Sequence, residues 1–365
     1  MQDGQNIRQL TGLRFFAAYW VVLYHYWPHL QGPPRPMFVE KGYLGVELFF
    51  ILSGFILCHV YRQSVADGQF RYGGFLWNRL ARVYPLHLAT LIGMGAMAVG
   101  ALAMGFSVDP HILSWPSLPA NLLLLHAWGL ADTAGWNHPS WSISAEWFAY
   151  LTFPVFAWGA LKASARPIAG VAFATLFLAG LYGAFERIAG FPLTQATIAW
   201  GALRIVPCFA YGCALHAFWK ARPAQNHLLA MAMTVTSVAA TSLAAGFGAP
   251  DAAIVLGLGI VILGFGRLAQ SGSTIFAAPT LVYLGEISYS VYMICIPWMI
   301  IFVNLSLRMI PSDNEKLTIV AWLVMLIGVV PLSAATFHLI EKPARQAMKH
   351  LSERRTLRRP VTLQA

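Results

Sequence analysis

The sequence predicts an all-α protein, a polytopic transmembrane helical bundle of about ten spans, and three observations carry that prediction. Apolar residues make up 58% of the 365-residue chain, charged residues only 10%, and the mean hydropathy is +0.61. Soluble domains hold roughly 45–50% apolar and about 25% charged residues, so this chain cannot cover a water-facing globule. Apolar runs of about 20 residues, the length that crosses a bilayer, recur from end to end. The basic residues fall singly or in pairs between these runs, which is the pattern of loop charges that orient a membrane protein and not of a nucleic-acid surface.

The first span is expected at 13–28, where Arg8 and Arg14 precede the run from Phe15 to Trp27. Its charge order imitates a secretory signal, but no A-x-A-like site follows and a second apolar run begins soon after, so the segment reads as a retained span. Further spans are expected at 42–61, 84–106, 141–161, 168–186, 198–219, 228–247, 252–266, 284–306 and 317–340. Gly93 and Gly100, within the small-residue stretch 93–105, are expected at helix–helix contacts. The run 119–130 (PANLLLLHAWGL) is too short to cross.

Charge settles the topology of that short run. With the N-terminus cytoplasmic and 119–130 not crossing, 18 of the 24 Lys and Arg lie on the cytoplasmic side. Five lie outside (Arg35, Lys41, Arg187, Arg308 and Lys316), and Arg204 falls within a span. The positive-inside rule therefore favours both termini cytoplasmic, with 119–130 re-entrant or interfacial and packed against protein. One membrane domain is expected over 1–345, followed by a basic cytoplasmic tail over 346–365 that faces anionic lipid headgroups. Cys58, Cys208, Cys213 and Cys295 all sit in apolar runs without metal-ligand spacing, so they read as packing residues and no metal site is expected.

Ionisable groups inside spans are costly and mark candidate function. Arg14 and His25 share the first span eleven residues apart, about 16 Å of helical rise, with Arg14 towards the cytoplasmic face. Glu47 and Glu146 enter from the outer side, at a depth expected to match His25. An imidazole beside carboxylates is the usual construction of a general base, and a hydrogen-bonded cluster that pins helices uses the same residues. The segment Trp136–Trp147 (WNHPSWSISAEW) adds Trp141, Ser142 and Ser144 at the same mouth, either as an aromatic belt or as polar contacts for a substrate. On the cytoplasmic side Arg79 and Arg82, three apart, share one helix face, either anchoring topology or clamping a phosphate.

Several stretches resemble the acyltransferase family 3 membrane proteins, which modify polysaccharides and related glycans. They are LTGLRFFAAYWVVLYHY (10–26), GYLGVELFFILSGFIL (42–57), FLWNRLARVYPLHLATL (75–91), HPSWSISAEWFAYLTFPVF (138–156), LGEISYSVYMICIPW (284–298) and HLIEKPAR (338–345), in family order. The resemblance implies a multi-pass protein of the cell inner (plasma) membrane. It implies an acyl-CoA donor, most commonly acetyl-CoA in the family, with no permanently bound cofactor, and a glycan acceptor such as a cell-surface polysaccharide or lipid-linked sugar. Membrane lipids and polysaccharide biosynthesis proteins are the implied partners. On matching positions it makes His25 the essential histidine, Arg14 its partner arginine, Glu47 the counterpart of an aspartate and Glu146 the end of a W-S-x-x-x-E-type motif. It makes Arg79 and Arg82 the basic motif, with Asn78 replacing a common arginine. Cys295 stands where many members carry histidine.

The expected chemistry is O-acyl transfer, with His25, Glu47 and Glu146 catalytic. Arg14, Arg79 and Arg82 would hold the donor phosphates, and Trp141, Ser142 and Ser144 the acceptor. The rival reading is a transporter of a sugar or lipid-linked glycan precursor. It would show interrupted helices in matched halves, and free-CoA release distinguishes the two.

Overall fold

The computed structural model describes residues 7–32, 34–105, 107–108, 112–133, 135–224, 226–309 and 315–357. Fourteen α-helices run in order: α1 (Arg8–Tyr26), α2 (Met37–Glu40), α3 (Gly45–Ala66), α4 (Tyr72–Ala103), α5 (Leu118–Leu122), α6 (Trp141–Leu151), α7 (Phe153–Ala165), α8 (Pro167–Ala189), α9 (Gly201–Ala221), α10 (His227–Gly246), α11 (Asp251–Gln270), α12 (Pro279–Met309), α13 (Ile319–Thr336) and α14 (Lys342–Leu357). Among the described residues no strand forms, and a single bridge pairs Leu30 with Leu317.

Among the described residues eight helices are long and apolar enough to cross a membrane, seven of them matching expected spans after the first and one extending from Ile319 through α14 to Leu351. Two expected spans fall short of that measure. α1 carries Arg8, Gln9, Arg14 and His25 in 19 residues. The 141–161 span breaks at Thr152 into α6 and α7, because Pro154 has no N–H for the Tyr150 carbonyl; the Thr152 hydroxyl joins its own N–H on the Phe148 carbonyl (2.8 and 3.0 Å).

The core is built on α3 and α9. At Gly212 an added Cβ would lie 1.9 Å from the Ile51 carbonyl, so these two backbones touch, as small residues allow in membrane bundles. α1 packs on α12 in the same way, where a Cβ on Gly285 would lie 1.8 Å from the Thr11 carbonyl. α8 and α10 form the perimeter, with Phe173, Leu176 and Leu228 exposed.

The expectation for the glycines changes, the short run 119–130 packs into protein as expected, and the tail boundary meets a helix. Gly93 and Gly100 face open space, and within that stretch only Gly95 meets a neighbour, Trp136. Segment 119–130 is a helical turn and a half followed by irregular chain, with Asn121, Leu124, His126 and Ala127 buried in the protein. The boundary placed at 345/346 falls inside α14, which docks on α4 through a hydrogen bond from Trp77 Nε1 to the Met348 carbonyl (2.8 Å). Residues 358–365 of the tail lie outside the described residues.

Candidate active site

Arginines and carboxylates gather inside the end of the bundle where α1 begins. Arg14 on α1 lies within electrostatic reach of Arg82 on α4, Glu341, and Glu146 and Tyr150 on α6. Glu146 accepts hydrogen bonds from Ser53 Oγ on α3 (2.8 Å) and from the Tyr150 hydroxyl. Glu341 accepts from Ser290 Oγ on α12 (2.8 Å) and has the Arg345 guanidinium 3.9 Å away. Tyr289, beside Ser290, donates to the Val83 carbonyl (2.7 Å) and so fixes α12 against the turn that carries Arg82. Arg79 lies over the Tyr61 ring at 5.9 Å, its Nε buried without a hydrogen-bond partner among the described residues.

A local widening of the backbone brings Glu341 into this group. Residues 337–341 form a π-turn just ahead of Pro343, which has no N–H to offer Leu339, and the turn aims Glu341 inward. Arg14, Arg82 and Arg345 thus act on Glu341, Arg14 also on Glu146, and Arg79 adjoins the group beside Tyr150 and Arg345. Arg14, Arg79, Arg82, Glu146 and Arg345 all remain half-buried although helices surround them, so the cluster is not sealed off. Its excess of arginine suits phosphate, which guanidinium binds in a two-pronged fork.

Eleven residues further along α1, the His25 ring packs edge-on to Tyr24 (5.2 Å). The charged or titratable neighbours acting on it are His138 and Arg35. Arg35 stacks over Tyr24 at 4.7 Å, donates to the Tyr24 carbonyl (3.2 Å) and pairs with Glu40. The chain neighbours of both histidines are anchored to α12. The Tyr26 hydroxyl donates to the Cys295 carbonyl (2.8 Å), and Asn137 Nδ2 donates to the Met293 carbonyl (3.0 Å). His25 is half-buried and His138 exposed, so this site is open too.

The structure redistributes several expected site residues. Glu47 does not meet His25. Both of its oxygens are taken by Arg204, with Nε at 2.5 Å and Nη2 at 3.0 Å. Glu146 sits deeper than His25, because the turn at 138–140 precedes α6 and carries it down to Ser53 and Arg14. Trp141 is buried as the stacking platform for the Arg204 guanidinium (4.6 Å). Ser142 is buried and donates to the Pro139 carbonyl (3.2 Å). Ser144 is sealed inside the protein, donating to the Leu124 carbonyl (2.7 Å) and accepting from the Ala127 N–H (3.0 Å). It thereby holds Leu124 at φ 58°, a left-handed conformation that bulky residues avoid. These three side chains hold the site together and offer no surface to an acceptor.

Sequence reasoning named Arg204 as an intramembrane charge without finding its partner, and it left Glu341 and Arg345 unassigned. The signal for these two was the His-Leu-Ile-Glu-Lys-Pro-Ala-Arg stretch itself, which places an acid at the end of an apolar helix. Cys295 is fully buried and donates to the Tyr292 carbonyl (3.0 Å), a packing role.

With the geometry in hand, the comparisons assign the family. The acyltransferase 3 model, described as an acyltransferase domain, matches residues 7–338. The chain belongs to this family. It is 31% identical to acyltransferase MdmB of Streptomyces mycarofaciens over 53% of this chain and 52% of that protein. It is 25% identical to nodulation protein 10 of Rhizobium leguminosarum bv. viciae over 94% of each chain. To the exopolysaccharide production protein ExoZ of Rhizobium meliloti it is 27% identical, over 69% of this chain and 75% of that one. The match thus spans about half the length of the Streptomyces relative. No solved structure matches.

Proposed function

We propose that this family member moves an acyl group from acyl-CoA, acetyl-CoA being the first candidate, to a hydroxyl of a polysaccharide or lipid-linked sugar at the inner membrane. The observation that carries the reading is the pairing, on the single helix α1, of a phosphate-suited arginine cluster and an accessible histidine. Arg14 and His25 are separated by about 16 Å of helical rise, a distance comparable to the reach of a pantetheine arm. A saccharide hydroxyl is the acceptor because the family includes a relative named for exopolysaccharide production.

In this mechanism Arg14, Arg79, Arg82 and Arg345 take the donor phosphates, and Glu146 and Glu341 hold the guanidiniums apart and in place. His25 removes the proton from the acceptor hydroxyl as its oxygen attacks the thioester carbonyl. The tetrahedral intermediate collapses, the C–S bond breaks, and the imidazolium returns its proton to the departing thiolate. Binding donor and acceptor on one rigid helix supplies proximity. Glu47 contributes at a distance, by fixing α3 to α9.

The test is free-CoA release by the purified protein in detergent, together with acyl-glycan formation in cells. His25→Ala is expected to reduce both by roughly 10²–10⁴-fold while the melting temperature holds. Full turnover in that variant would refute the mechanism, and absence of any CoA release by the wild type would favour a transporter.

A further inference from the structure

A second basic cleft, on the perimeter of the bundle and away from the arginine cluster, has no part in the chemistry above. It encloses about 380 Å³ and is lined by Ile168, Phe218, Ala221, Arg222, Pro223 and Arg267. Two of these six residues are cationic and none is anionic. Neither arginine has a carboxylate partner among the described residues, and Arg267 Nε is buried without any hydrogen-bond partner.

The cleft is braced. The Arg267 guanidinium lies over the Phe218 ring at 5.4 Å, which fixes its plane. Gln270, one turn further along α11, donates to the Trp219 carbonyl (3.1 Å) and accepts from the Ala224 N–H (3.2 Å). The amide clamps the turn that carries Arg222 to the helix that carries Arg267. α8 begins at this cleft with no acidic residue in its first turn, so its unpaired N–H groups add positive potential.

We propose that this cleft binds the phosphate headgroup of an anionic phospholipid. Paired guanidiniums suit a phosphate diester, and basic pockets between membrane helices are where such headgroups settle. Lipid is favoured over a free anion by what adjoins the cleft. Ile168 on its rim is 63% exposed, and Phe173 and Leu176 further along α8 are each 72% exposed, an outward apolar strip on which acyl chains can lie. Inorganic phosphate gains nothing from that strip.

The experiment titrates the detergent-purified chain with dioleoylphosphatidylglycerol or dioleoylphosphatidylethanolamine and reads retained lipid by native mass spectrometry and melting temperature. Wild type is expected to prefer phosphatidylglycerol by roughly tenfold or more, since two basic side chains face the headgroup, and to melt higher with it. R222Q/R267Q is expected to lose the preference, whereas Arg187→Gln, at the opposite end of α8, keeps it. Should the double variant fail to fold, R222Q alone, at an exposed position, is expected to weaken the preference severalfold. Equal binding of the two lipids, an unchanged preference in R222Q/R267Q, or displacement of phosphatidylglycerol by millimolar inorganic phosphate would each overturn the assignment, the last in favour of a free-anion site.

Discussion

Two of the ionic groups inside this bundle are built on opposite plans. The Glu47–Arg204 pair is sealed, with 0% and 2% of the residue surfaces exposed. Its hydrogen bonds are also matched, because the third guanidinium edge donates to the Ala196 carbonyl (2.8 Å) and Trp141 covers the face. The group of Arg14, Arg79, Arg82 and Arg345 with Glu146 and Glu341 is open and carries more guanidinium than carboxylate. A closed and balanced pair can only hold helices together, whereas an open and unbalanced one has charge left over for a ligand. Membrane burial makes both groups costly to build, and accessibility tells them apart.

Breaking the sealed pair should have the largest effect. Glu47→Ala strands a buried guanidinium and is expected to cost about 3–5 kcal/mol of stability, measured by thermal or denaturant unfolding in detergent. The double replacement Glu47→Met/Arg204→Met should be much milder. If Glu47→Ala instead left stability intact and abolished turnover, the division between the two groups would collapse. In the open group, Arg82→Gln should leave folding unchanged and raise the acyl-CoA KM about tenfold, the scale of one charge-assisted hydrogen bond, with weaker wild-type binding at high salt. Ser144→Ala sharpens the comparison from the structural side. It should lose about 1–2 kcal/mol of stability with kcat per folded molecule unchanged. Ser142→Ala, whose hydroxyl makes a longer bond, should cost about 1 kcal/mol or less by the same measurement.

The spans were legible because lipid demands long apolar runs, and that demand is written directly in composition. The break at Thr152 was legible in principle from Pro154, but hydropathy averaged over a window conceals it. Depth was legible only in part, since Glu146, expected level with His25, lies further in beside Ser53 and Arg14. Azimuth was not. Each residue turns the helix by about 100°, so whether Glu47 faces α1 or α9 depends on helix rotation, which no local pattern records. Its partner Arg204 is 157 positions away in sequence. Arg345 was hidden for a different reason. The charge-rich composition after Glu341 resembles a solvated tail, and only docking of Met348 against Trp77 shows that the helix continues along the protein.

The backbone contact between Thr11 and Gly285 has one more consequence. A helix pressed that closely against its neighbour cannot slip by a turn, so α1 acts as a caliper whose jaws are Arg14 and His25. On the proposed donor geometry, a thioester whose anionic head lies too near its carbonyl would touch one jaw or the other, never both. Gly285→Ala would push α1 off α12 and shift both jaws together against the helices around them, without touching either.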